Sequence, residues 1–460
     1  MKFKIKNIGL IDEAEIDISD ITCVCGMNNT GKTYVTYAIY GFLAHFANLS
    51  RSVIIKRLIN TGIRDGSINL DKVFSGGVNG FLDDMSSIYM DVLPDVFGSR
   101  NIITSKSELS VEINDADFDY LSFEMQRLVN PRSRARDGAV NIVKLPGSNI
   151  IEFVVESTII EKLEIRSFAA FITESLVSNV ISKISPTVYV ASAERTGAAI
   201  FRDELDFAKL RLFDLLKSKN EKQDISDALM SEAFGGNYSY AWPIEHNVDF
   251  VRKIESIYKD SSELCNLNPD IIEKFENIIG GSYKVVKDVL VYQSNSSGKP
   301  RFAMSESSSS VRALLDIGFY IRCKLKRGDI LMIDEPELNL HPKNQRLVAR
   351  LLAALVNCGV KVFITTHSDY IIKELNILMM LKSSSQSDIV AKKYGYSPSE
   401  FVDYNSMSVY VTGKKKISRR KINTLEKAKI TKEFGIELPT FDNSIEEMAD
   451  IQSDLFFGGE

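Results

Sequence analysis

The sequence is poor in the residues that build disulfide frameworks and metal clusters: 460 residues hold five cysteines and four histidines. No CxxC pair and no Cys/His cluster has zinc spacing, which excludes a disulfide-stapled scaffold and a zinc module. The histidines are widely separated, which argues against an internal HNH nuclease. No uncharged apolar run approaches the roughly 20 residues of a membrane-spanning helix. The start, MKFKIKNIGLIDEAEID, alternates apolar with polar residues and carries acids early, unlike a secretory signal. Sustained heptads are missing, so a long coiled-coil arm is not expected. Repeats are absent too, and low complexity is confined to serine clusters. A cytoplasmic, reducing setting without a membrane is the expectation. A net charge of -5 excludes a surface that is basic all over, so any nucleic-acid contact must come from a local patch. What is present is ordinary globular composition, 44% hydrophobic and 25% charged. The length suits roughly two to four domains, or one domain with large insertions.

Against that background CGMNNTGKT, Cys25 to Thr33, stands out. Gly26 and Gly31, followed by Lys32 and the hydroxyl residue Thr33, fit a phosphate-cradling loop. ITCVC before it reads as a buried strand, in which Cys23 and Cys25 are core residues; YVTYAIYGFLAHF after it reads as a helix. Strand, loop and helix is the setting in which backbone N–H groups from Gly26, Met27, Asn28, Asn29, Thr30 and Gly31 converge on phosphate oxygens. Lys32 would reach the β and γ phosphates of ATP, and Thr33 would hold Mg²⁺.

The rest of the chain is arranged around this motif. Residues 1–46 read as two short strands, the phosphate-loop strand and its helix. Residues 47–185 lose that regularity, with pieces such as FSGGVNGFLDD and PRSRARDG, and read as an insertion forming a compact helical lid. Residues 186–200, PTVYVASAERTG and beyond, return to a buried strand that ends in charged and small residues. A second helical insertion spans 201–279. Residues 280–400 contain strands near SYKVVKDVLVYQ, a serine-rich turn opening a helix (ESSSSV), a strand ending in acids (ILMIDEPELNLHP) and a strand ending in a histidine (VKVFITTHSDY). Residues 401–460 are a tail that could dock on a partner.

Taken in order, a phosphate loop, a serine-rich helix start, Asp334 with Glu335 at one strand end and His367 at another would converge on the carboxyl edge of a parallel sheet. With these residues the chain resembles ABC-type ATPases of the class shared by SMC, RecF and OLD-like proteins. IDEPELNLHP and ITTHSDYI are especially similar to stand-alone OLD-like ATPases. The resemblance implies an α/β fold: an ABC-type P-loop ATPase head with two mainly helical insertions. It implies that Asp334 organises Mg²⁺ through water, that Glu335 polarises the attacking water, and that His367 senses the γ phosphate. Ser308 aligns with the signature serine that covers the triphosphate of another subunit, although the glycines usual beside it are replaced by serines. The glutamine that usually couples nucleotide to an arm or lid is not identifiable. Such composite sites require at least a homodimer, open to a larger ring-like assembly.

OLD-like proteins commonly continue into a TOPRIM nuclease, yet the residues after His367 contain no D-x-D pair. The expectation is therefore an ATP-hydrolysing switch that controls a separately encoded effector, a nuclease, in antiviral defence. The alternative is a RecF-like DNA-binding ATPase in repair. KKKISRRK, Lys414 to Lys421, and the PRSRARD arginines Arg132, Arg134 and Arg136 fit DNA phosphates, an acidic partner or a solvated linker.

Overall fold

The computed structural model describes residues 1–61, 67–114, 118–129, 140–154, 165–201, 240–417, 420–431 and 435–437. In chain order the strands are β1 (Lys2–Ile8), β2 (Ile11–Asp17), β3 (Ile21–Cys25), β4 (Ser67–Asn69), β5 (Ile103–Glu112), β6 (Met125–Val129), β7 (Val140–Lys144), β8 (Ile150–Val154) and β9 (Val188–Ala191). They continue as β10 (Gly281–Val286), β11 (Val289–Ser294), β12 (Arg301–Ala303), β13 (Ile330–Asp334), β14 (Lys361–Thr366), β15 (Met407–Ile417), β16 (Arg420–Lys427), β17 (Ile430–Thr431) and β18 (Gly435–Ile436). Nine of them form one mixed sheet in the order β5-β1-β2-β16-β15-β3-β14-β13-β9. The five from β15 to β9 run parallel, whereas β1 is antiparallel to both β2 and β5, and β15 is antiparallel to β16.

Both faces of the central strands β3, β13 and β14 are buried, which is why these strands are mostly apolar rather than alternating. In β13, Ile330 and Met332 face one core with the phosphate-loop helix Lys32–Ala44. Leu331 and Ile333 face a second core with the helices Leu315–Cys323, Pro342–Asn357 and Asp369–Ser383. Among the described residues no single helix is long and apolar enough to cross a membrane.

Two segments depart from the sequence reading. Residues 401–460 read as a tail in the sequence, yet β15 lies beside β3 in the middle of the sheet, with Val409 and Tyr410 buried. Pairing on both edges makes β15 and β16 part of the head, and Lys414 and Lys415 lie exposed toward the hairpin end of these two strands. The first insertion contains the expected helices Phe46–Thr61, Gly77–Val96 and Ile165–Leu176, but it is not a purely helical lid. It also holds the antiparallel sheet β4-β8-β7-β6 and sends β5 to the edge of the main sheet. That edge is stitched by cross-strand charges such as Lys6 with Glu108 at 3.1 Å, a polar pattern that reads as surface. The PRSRARD stretch, the acidic end of the chain beyond 437 and the start of the second insertion fall outside the described residues.

Candidate functional site

β3 is followed by Gly26, whose φ of 143° brings the chain into the loop, and Gly31 at φ 99° leads into helix Lys32–Ala44. A Cβ at Gly26 would lie 1.8 Å from Thr412 Oγ1, so the position admits no larger residue. The loop is closed by Thr30, whose hydroxyl donates to Met27 O at 2.7 Å. Lys32 is buried and its Nζ donates to Gly26 O at 3.1 Å and Met27 O at 2.8 Å. Burial lowers its pKa, opposed by the neighbouring carboxylates Glu335 and Asp334.

The parallel strands bring the other expected residues to the same edge. Thr33 Oγ1 donates to Asp334 Oδ2 at 3.3 Å, and the Thr365 hydroxyl donates to the other oxygen of Asp334. His367 bridges the site: its Nε2 lies 3.2 Å from Glu335 Oε1, and its Nδ1 lies 3.5 Å from Lys32 Nζ. Because an ammonium group can only donate, Nδ1 is the acceptor and Nε2 carries the hydrogen toward Glu335. The adjacent acids are pushed apart. Burial raises the pKa of Asp334 against the Thr365 hydrogen bond, whereas the hydrogen bond from His367 lowers that of Glu335. One carboxylate is thus held close in a dry setting and the next is kept ionised, a pairing suited to separate roles.

Two open cavities meet at the loop. One, of about 800 Å³, lies over Lys32, Thr33 and Glu335 and is rimmed by Leu10, Tyr37 and Phe97. The other, of about 1070 Å³, lies across the loop against Ser368, Tyr370 and Thr412. Met27, Asn28 and Asn29 line this second cavity, Met27 being 79% exposed. Ser308 lines neither: it caps helix Ser309–Ala313 with its hydroxyl accepting from Val311 N.

Several residues at the site have no role assigned by the sequence motifs, although Glu337 lies within IDEPELNLHP and Arg195 within ERTG. Thr412 Oγ1 sits 2.6 Å from Thr30 Oγ1 and donates to Cys25 O at 3.2 Å, so strand β15 supports the phosphate loop from far along the chain. Glu337, two residues beyond Glu335, accepts from Thr366 Oγ1 at 2.8 Å and from His367 N at 2.6 Å. Its second oxygen is buried without a partner, and burial raises its pKa. Arg195 reaches the backbone of Asp334 and Glu335 from the ERTG segment.

The family model described as an AAA ATPase domain, AAA_15, matches residues 1–372. The chain belongs to this AAA ATPase family. No curated protein matches it. Among solved structures it is similar to the Smc head domain of Pyrococcus furiosus with an extended coiled coil bound to the C-terminal domain of ScpA, at 13% identity over 98% of both chains with a TM-score of 0.32. It is also similar to an SmcHead bound to the C-winged helix domain of ScpA, at 13% identity over 94% of this chain and 98% of that one, TM-score 0.35. A third is the SMC head domain from Thermotoga maritima, at 10% identity over 93% and 98%, TM-score 0.31.

For an AAA ATPase domain the donor set is chemically apt. Among the described residues no group of three or more His, Cys, Asp or Glu could hold a metal ion unaided. The Thr33 hydroxyl and the Asp334 carboxylate offer two hard oxygen donors, fitting a Mg²⁺ ion that completes its shell with phosphate oxygens and water.

Proposed function

We propose that this protein is an ATP-hydrolysing molecular switch. The observation that carries the reading is the convergence of Lys32, Thr33, Glu335 and His367 from separate strand ends onto one cavity, with the buried Asp334 bonded to Thr33 beside it. Lys32 binds the β and γ phosphates. Thr33 and Asp334 hold Mg²⁺, which when bound neutralises phosphate charge. Glu335, oriented by the Nε2 hydrogen of His367, accepts a hydrogen bond from the attacking water and aligns it; His367 is placed to respond to the γ phosphate. Phosphoryl transfer asks for this positioning rather than a covalent intermediate.

Ser308 covers the triphosphate held by a second copy, so two copies close on ATP and reopen after hydrolysis. Closure changes the affinity for a separately encoded effector, a nuclease, in antiviral defence; this last step rests on resemblance to stand-alone OLD-like ATPases.

Glu335→Gln preserves the side-chain shape while removing the charge. Its kcat should fall by about 10²- to 10⁴-fold, the usual worth of a positioned base. It should still bind ATP and accumulate as a larger species with ATP and Mg²⁺ in light scattering. Lys32→Ala, having lost its phosphate contact, should neither bind nor assemble. Hydrolysis retained by Glu335→Gln would refute the assignment of that residue, and assembly that ignores ATP would refute the switch.

A further inference from the structure

Arg195 is among the largest fully buried side chains, 1% exposed. A buried guanidinium ordinarily pairs with a carboxylate, because an uncompensated charge is costly away from water. Here its four hydrogen bonds all go to backbone carbonyls. Nε donates to Ala313 O at 2.8 Å, one terminal nitrogen to Ser192 O at 2.9 Å and Asp334 O at 2.6 Å, and the other to Glu335 O at 2.7 Å. Charge compensation comes from a distance, chiefly from the buried Asp316. Asp316 is itself held by Tyr189 Oη at 3.1 Å and Asn247 Nδ2 at 3.4 Å. The fork therefore ties together three pieces of backbone: the end of β9, the end of β13 and helix Ser309–Ala313.

Two of those pieces bear on hydrolysis. Glu335 has φ 54°, a left-handed conformation rare for a glutamate and held only when its surroundings impose it. Its N–H is fixed by Thr365, to the carbonyl at 3.1 Å and the hydroxyl at 3.2 Å. Its C=O is held by Arg195 at 2.7 Å and by the Leu338 N–H at 3.1 Å, so the guanidinium supplies the shorter of two anchors on that side. Without the guanidinium the carbonyl would keep only the Leu338 N–H, a weaker hold on a backbone conformation that places the carboxylate against His367. The third carbonyl, Ala313 O, ends the short helix that Ser308 caps. A displacement of that helix reaches Glu335 through one rigid, planar group.

We propose that Arg195 is a positioning residue that relays the placement of the Ser308 helix to the Glu335 backbone, so that engagement of one ATP site sets the hydrolytic competence of the other. The relay between subunits rests on the composite-site reading, since Ser308 acts in the partner's site and Glu335 in its own. Each Arg195 then spans two sites, and linkage requires that they respond to one another.

Arg195→Lys keeps the charge but cannot span the carbonyls. Its kcat should fall at least about 30-fold while KM and the titrated affinity for a non-hydrolysable ATP analogue stay within about twofold of wild type, and a sigmoidal dependence of rate on ATP should become hyperbolic. A folded variant with wild-type kcat and cooperativity overturns the proposal. So does a parallel loss of nucleotide affinity and thermal stability, which would mark a purely structural brace. If the lysine variant does not fold, Arg195→Met with Asp316→Asn removes both buried charges together and is judged by the same readouts. The wild-type protein tests the underlying reading separately. Hyperbolic kinetics with no ATP-induced assembly there sinks the composite site and the relay with it, before any Arg195 variant is made.

Discussion

The two halves of the main sheet solve different problems. The parallel half, β15-β3-β14-β13-β9, is buried on both faces, and the ends of β3, β13 and β14 deliver Lys32, Asp334, Glu335 and His367 to one edge. The other half, in which β5, β1 and β2 pair antiparallel and β16 joins β2 in parallel, buries one row of side chains and exposes another row of charges, exemplified by Lys2 with Glu15 at 2.6 Å and Lys6 with Glu108. The contrast shows why chemistry sits in the first half. Parallel strands all end at the same edge, and helices packed on both faces fix where those ends lie. Antiparallel strands turn back at alternate edges and offer no such convergence.

That contrast can be broken by substitution. Leu331, fully buried in β13, should cost about 2–5 kcal/mol of stability as Leu331→Ala, because the double-sided packing leaves little room to collapse. Chemical denaturation checks this, and a loss below about 1 kcal/mol would mean that the parallel half is not a rigid frame for the site. Thr412→Val tests the brace that β15 gives the phosphate loop within the parallel half. It removes the hydroxyl that meets Thr30 and Cys25 O and should weaken nucleotide binding by about 1 kcal/mol, roughly fivefold, with little change in melting temperature. Equal losses of affinity and stability would make Thr412 a packing residue instead. The smallest effect is expected at Lys6→Ala, where an exposed pair is worth at most about 0.5 kcal/mol and less at high salt. A larger, salt-insensitive loss would show that the antiparallel edge carries more of the fold than its charges suggest.

The legibility of the sequence follows the same division. ITCVC, ILMI and VFITT are readable as strands because burial on both faces leaves an unbroken apolar run with β-branched residues. The site motifs are readable for a related reason: phosphate and metal chemistry demands glycines, a lysine and strand-end acids at fixed spacing, and packing alone rarely produces that pattern. β5 and β15 are not readable in this way. ITSKSELSVE has the alternation of an exposed surface, and SVYVTG is too short and mixed to announce a strand that enters the centre of the sheet. Both strands owe their place to partners more than 90 residues away, β1 for β5 and β3 for β15.

The sequence by itself determined the phosphate loop, the order of the strand-end residues and the apolar character of the strands that hold them. Each is a local property of spacing, backbone freedom or hydrophobicity. Only the tertiary structure decided that Thr412 would brace the loop, that His367 would join Lys32 to Glu335, and that Arg195 would grip the backbone of Asp334, Glu335 and Ala313. Those contacts have no local signature, because a backbone carbonyl looks the same in every residue and becomes a specific partner only when the packed sheet presents it to a buried donor.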